Sequence, residues 1–122
     1  MGEIFFDNNI PIYIQLVDYF KIYIISGKMK PGERISSVRE LAIYFKVNPN
    51  TMQKALTELE NLKLIYTERT NGKFVTKDEK LIKKLKDDYA KTLIEKFYNE
   101  MTALSLNKKE IINYINEIGD DE

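Results

Sequence analysis

Two hydrophobic periods divide the chain. From Pro11 to Ser26, Ile12, Leu16, Tyr19/Phe20, Tyr23 and Ile24 recur at helical spacing. That period predicts a helix, with Pro11 at its first position and Gly27 just past its end. Pro31-Gly32 then signals a turn, and Glu33-Arg34-Ile35 reads as a short extended piece. Ser37-Val38-Arg39-Glu40 has the spacing of a capping box and opens a short helix, Val38–Phe45, burying Val38, Leu41, Ala42 and Phe45. After a break at Lys46-Val47, Asn48-Pro49 supplies an N-cap and a first helical residue. The helix it starts runs to about Leu62, with Met52, Ala55, Leu56, Leu59 and Leu62 inward. The period then switches from helix to strand. Over Leu64–Thr76 two β-rich runs flank Thr70-Asn71-Gly72-Lys73, and Asn-Gly between such runs predicts a hairpin.

Beyond Asp78 the helical period returns for about 25 residues. Leu81/Ile82, Leu85, Tyr89, Leu93, Phe97, Met101 and Leu104 form one stripe. Asn107-Lys108-Lys109-Glu110 is a second capping box, and Ile111, Tyr114/Ile115 and Ile118 mark a last short helix. The tail, residues 119–122, is expected to fray. The predicted fold is mainly α with a small β-hairpin. Two helices joined by a tight break and followed by a hairpin make a winged helix-turn-helix over 1–77, and residues 78–122 make a two-helix C-terminal extension.

Composition narrows the chemistry. With no Cys and no His among 122 residues, disulfides, thiolate metal sites, cysteine nucleophiles and His-based proton shuttles are all excluded. No cofactor is expected. A carboxylate enzyme would need a convergent pair such as Asp87/Asp88, but adjacent helix residues point apart, so an enzyme is not expected. No apolar run approaches the length of a membrane span, and the N-terminus lacks the pattern of a signal peptide, so a cytoplasmic protein is expected.

Nineteen cations balance nineteen acids, yet the balance is not local. Residues 28–54 carry six cations (Lys28, Lys30, Arg34, Arg39, Lys46 and Lys54) against Glu33 and Glu40. The predicted helix-turn-helix therefore holds a net +4, while 1–27 and 81–122 are each −2 and 55–80 is neutral. Abundant Ile, Lys and Asn suggest an AT-rich bacterial genome, in which Arg is scarce. All three arginines, 34, 39 and 69, fall between Lys28 and Lys77.

At these residues the chain resembles the GntR family of bacterial transcription regulators. The likeness lies in PIYIQL at Pro11, then GKMKPGERISSVRELA, then VNPNTMQKALTELE, then the wing NGKFV ending before Thr76. PIY, VNPNT and the short helical C-terminus are similar to the YtrA-type subgroup. Two residues depart from the family pattern: Ser36 replaces a Pro before the second helix, and Lys63 replaces a Gly after the third. A left-handed backbone disfavours non-glycine residues, so the C-cap at Lys63 is expected to differ locally.

The resemblance implies a homodimeric repressor on a pseudo-palindromic double-stranded operator, in control of a membrane-transport operon. Asn48, Asn50, Thr51, Gln53 and Lys54 stand at the start of the recognition helix, where polar side chains and backbone N–H groups can meet DNA. Asn48 ranks below the others because capping occupies its side chain. Arg39 matches a DNA-contacting Arg of the family. Lys28, Lys30, Arg34, Lys46 and Lys73 are candidates for phosphate, Arg69 for phosphate or minor groove, and Gly72 for a close approach of the wing. The C-terminal stripe needs a partner, and a second copy is the economical one. Its candidate interface is Leu85, Tyr89, Leu93, Phe97, Met101, Leu104, Ile111 and Ile115. Tyr89, Phe97, Tyr98 and Tyr114 are the alternative, a small effector pocket. The competing function is a winged-helix protein–protein module that does not bind DNA.

Overall fold

The computed structural model describes residues 1–119. Its order is α1 (Ile12–Ile25), β1 (Arg34–Ile35), α2 (Val38–Phe45), α3 (Pro49–Asn61), β2 (Ile65–Glu68), β3 (Gly72–Val75), α4 (Glu79–Ala103) and α5 (Lys108–Glu117). The chain divides into two units, Met1–Lys86 and Asp87–Glu122, with the boundary inside α4. Beyond Gly119 the tail expected to fray lies outside the described residues.

In the first unit, α1, α2 and α3 surround one core. Leu16, Phe20 and Ile24 of α1 meet Leu41 of α2 and Met52, Leu56 and Leu59 of α3, all at 0–1% exposure. Burying each such side chain is worth about 1.5–3 kcal/mol, which fixes which face of every helix turns inward. Ile12 does not join them. It stays 42% exposed in the first turn, because Pro11 is the N-cap rather than a helical residue and the buried row begins at Leu16. Gln15 ties the preceding segment down: its amide Nε2 donates to the Asp7 and Ile10 carbonyls, both at 2.8 Å, and its Oε1 accepts the Asp7 N–H.

The capping box at Ser37 forms as the spacing predicts. Its hydroxyl accepts the Glu40 N–H at 3.1 Å, and Glu40 accepts the Ser37 N–H at 3.2 Å. Helix α2 ends on a left-handed Lys46 (φ 58°) and α3 on a left-handed Lys63 (φ 66°). At the second, the Leu64 N–H reaches the Leu59 carbonyl at 3.0 Å and the Lys63 N–H the Glu60 carbonyl at 2.9 Å. This is a Schellman motif, closed by the buried Leu59 and Leu64. The cap therefore keeps the shape a glycine would give it, and the expected local departure at Lys63 does not occur.

The sheet has three antiparallel strands in the order β1-β3-β2. Arg34 and Ile35 pair with Phe74 and Lys73, so the short extended piece becomes a third strand beside the hairpin. In the hairpin, Ile65, Tyr66, Thr67 and Glu68 face Val75, Phe74, Lys73 and Gly72. The hairpin is present, but its turn is not a two-residue Asn-Gly. Arg69-Thr70-Asn71 forms the connection, the Asn71 N–H bonds the Glu68 carbonyl at 3.2 Å, and Gly72 follows at φ 103°. Only glycine adopts that backbone readily, so Gly72 opens β3 instead of forming the tip.

Helix α4 starts where Asp78 accepts the Leu81 N–H at 3.1 Å and runs 25 residues. Ile82 and Leu85 pack partly against the first core, and no residue of α4 is fully buried. In the second unit Asn107 and Glu110 form the expected capping box, and Ile111 is buried. Among the described residues no helix is long and apolar enough to cross a membrane.

Candidate nucleic-acid interface

Helix α3 is two-faced. Met52, Ala55, Leu56 and Leu59 are buried, which leaves Asn50, Gln53, Lys54 and Thr57 on the opposite, exposed side at helical spacing. The Asn48 side-chain oxygen caps the helix through the Asn50 N–H at 2.7 Å, as its ranking anticipated. Thr51 is half-buried at the first turn. The Gln53 amide donates to Thr57 Oγ1 one turn on, at 3.2 Å. Thr57 thus orients a candidate base reader. Its i, i+4 spacing from Gln53 was the signal in the sequence.

Lys54 does not extend freely. Its ammonium lies 3.8 Å from the centre of the Tyr13 ring, a cation–π contact between α1 and α3. Lys28 lies 5.3 Å from the Tyr23 ring. Arg39, in the first turn of α2, is exposed and forms no ion pair among the described residues. Its sequence neighbours are engaged elsewhere: Glu40 closes the capping box and Glu33 accepts the Lys30 N–H at 3.1 Å. Hydrogen bonds from Ser37 hold the Glu40 carboxyl below its ordinary pKa. Lys30 and Lys46 are exposed, the latter at the left-handed end of α2.

The wing is held from two sides. Arg34 of β1 donates from Nε to the Asn71 carbonyl at 3.0 Å. A Cβ on Gly72 would stand 3.4 Å from that guanidinium, an ordinary van der Waals contact, so the left-handed φ of 103° and not lack of space is what calls for glycine. The Lys73 ammonium donates to Glu60 of α3 and to Thr67 Oγ1, the latter at 2.9 Å. Arg69 is exposed in the connecting loop. Arg34, Asn71 and Gly72 therefore form one cluster, and Lys73, Thr67 and Glu60 another. Lys28 belongs to neither and stands just past the end of α1. Tyr13 and Glu60 were not singled out by sequence reasoning, because their contacts join residues far apart in the chain. Among the described residues no group of His, Cys, Asp or Glu could hold a metal ion.

Residues 12–75, the whole winged segment, match the model of the bacterial regulatory proteins of the gntR family. The chain belongs to the GntR family. It is 36% identical to the uncharacterized HTH-type transcriptional regulator YhcF of Bacillus subtilis (strain 168), covering 90% of this chain and 91% of that one. It is also 36% identical to the HTH-type transcriptional repressor YtrA of the same organism, over 84% and 68% of the two chains. A GntR family transcriptional regulator from Listeria monocytogenes superposes with a TM-score of 0.87 at 43% identity, covering 93% of this chain and all of that one. AraR(DBD) in complex with operator ORR3 superposes with a TM-score of 0.53 at 29% identity, over 62% and 92%. The chain is thus a GntR-family transcriptional regulator of the YtrA type, with a winged helix-turn-helix DNA-binding domain.

Proposed function

We propose that this GntR regulator is a homodimeric cytoplasmic repressor of a transport operon, binding a pseudo-palindromic operator through two copies of α3. The observation that carries the reading is the exposed face of α3, where Asn50 and Gln53 stand beside a half-buried Thr51 at a helix N-terminus. Asn and Gln can pair bidentately with adenine, and the Thr methyl can meet thymine. The N-terminal turn of α3 adds partial positive charge for phosphate. Arg39 reads or positions bases from α2. Lys28, Lys30, Lys46, Lys54 and Arg69 neutralise phosphates, and Asn48 holds the helix start in shape.

Dimerisation has its own support. Leu93, Phe97, Leu104 and Ile115 are 36–70% exposed in the single chain. An amphipathic helix needs cover for such a stripe. A second copy gives that cover, with the half-buried Tyr89 and Met101 as further candidates. Ile111, a candidate from the sequence, is buried within the subunit, and Leu85 packs partly against the first core. Repression rests on likeness to a relative named a transcriptional repressor, and the transport operon on the resemblance of the sequence motifs to the YtrA-type subgroup. A small effector would then act on the C-terminal helices.

Selection of duplexes from a random library by the full chain tests the reading. The enriched sequence should be palindromic, with half-sites about 10 bp apart or a multiple of that. Its affinity should fall steeply between two salt concentrations. Failure to enrich any sequence, or binding that ignores salt, would overturn the proposal and leave a protein–protein module.

A further inference from the structure

The wing and the recognition helix meet at a closed triangle of polar side chains. Lys73 of β3 donates to the Glu60 carboxylate and, at 2.9 Å, to the Thr67 hydroxyl. Thr67 of β2 donates that hydroxyl proton to Glu60 at 3.0 Å. Thr67 and Lys73 are cross-strand partners, so one acid of α3 grips both strands of the hairpin. The Lys73 and Glu60 side chains are only 18% and 33% exposed, so this charged pair is less screened than an ordinary surface pair. The ammonium holds the Glu60 carboxyl below its ordinary pKa.

Glu60 is badly placed for any other purpose. It stands in the last turn of α3, where the helix dipole disfavours an acid, and it puts negative charge on a unit that must approach phosphates. On the far side of the hairpin, the Arg34 bond to the Asn71 carbonyl fixes the loop. The stem is thus anchored to α3 and the loop to β1.

We propose that Glu60 is a positioning residue for DNA recognition: through Lys73 and Thr67 it locks the wing to the recognition helix, so that both meet the operator as one rigid body. The proposal rests on the DNA-binding reading above. It assigns Lys73 to the strut rather than to phosphate. A wing fixed before binding spares the complex the entropy of ordering it. Charge alone predicts the opposite effect of Glu60, since removing an acid from a DNA-binding unit should tighten binding.

The test uses the full chain and two labelled probes, the duplex it selects from a random library and a scrambled duplex. If no duplex is selected, the DNA-binding reading itself fails, which is distinct from failure of the strut. Glu60→Gln and Lys73→Glu should each weaken the selected duplex by about tenfold, a coupling typical of contacting residues. Glu60→Gln should not weaken the scrambled duplex, whose binding follows charge alone. The doubly reversed variant, Glu60→Lys with Lys73→Glu, restores the pair with its charges exchanged, and the Thr67 hydroxyl can turn to suit. Its affinity for the selected duplex should return to within about threefold of the original, as expected where the coupling is a pairwise one. Thr67→Val, which removes one side of the triangle without changing charge, should weaken the selected duplex alone. Tighter binding by Glu60→Gln, with a salt slope steeper by about one per protomer, would show Lys73 released to phosphate and would overturn the proposal. So would a folded double reversal that stays as weak as the single variants.

Discussion

Replacing Lys63 by glycine should stabilise the winged unit, and the size of the gain follows from one backbone angle. Lys63 sits at φ 66° just past α3, where its N–H and that of Leu64 close the helix end. An L-residue in the left-handed region is disfavoured by about 1–2 kcal/mol, through the approach of Cβ to the following carbonyl. Glycine removes that strain but gives back about 0.5–1 kcal/mol of backbone entropy on folding. The Lys63 side chain is exposed, so its loss matters little. The net gain is about 0.5–1 kcal/mol, the difference of those two terms. With an unfolding entropy near 2.1 cal/mol/K per residue, a chain of 122 residues should gain about 2–4 °C in Tm. Scanning calorimetry reads this directly. Lys63→Ala is the control, because it removes the long side chain and keeps Cβ, and its Tm should not rise. A glycine variant no more stable than the alanine variant would refute the strain argument. DNA affinity should be unchanged in both, since Lys63 is outside the proposed interface.

Arg39→Ala should weaken binding to the selected duplex by about 1–3 kcal/mol without lowering Tm, as measured by anisotropy and thermal melting; unchanged affinity removes Arg39 from the site. Phe97→Glu places a charge in the exposed stripe of α4 and should shift sedimentation from dimer to monomer; an unaltered profile contradicts the interface. The carboxyls of Glu60 and Glu40 are both held below their ordinary pKa, by Lys73 and by Ser37 respectively. Their contribution to stability is therefore full above the unfolded value of about 4.3 and is lost as pH falls through the folded values. Glu60→Gln should flatten the acid limb of a urea-denaturation series; a limb as steep as the wild type's would place the dependence elsewhere.

The elements that sequence pattern foresaw are those built from neighbours in the chain. Ser37 and Glu40 are three residues apart, as are Asn107 and Glu110, and each pair closes its box as its spacing requires. The 25-residue α4 follows from an unbroken stripe. The hairpin was legible from the change of period, but its turn was not. Asn71-Gly72 supports a two-residue loop and a three-residue loop with a following glycine, and the three-residue loop that forms is bonded by Arg34 at the Asn71 carbonyl from 37 residues away, a contact no local pattern reveals. Lys63 shows the reverse case. Local preference argues against a left-handed lysine, yet burial of Leu59 and Leu64 outweighs it.

The candidate site was legible as a list of residue types and not as an arrangement. Formal charge counted Lys28, Arg34 and Lys54 as equal members of a +4 excess, and Lys73 as a further cation of the wing. In the fold they differ in kind. Lys54 rests on the Tyr13 ring, Lys28 lies near the Tyr23 ring, Arg34 braces a loop, and Lys73 is paired with an acid. A cation over an aromatic face keeps its charge and can still meet a phosphate, with its position fixed in advance. A cation paired with a carboxylate adds no net charge to the surface it shares. A slope of log K against log salt counts phosphates neutralised, so it should track the tethered lysines and not Lys73. Tyr13, Thr57 and Glu60 carry no charge excess of their own toward DNA, and composition passes over them. In the proposed interface they position the readers, so their variants should lose more affinity for the selected duplex than for a scrambled one.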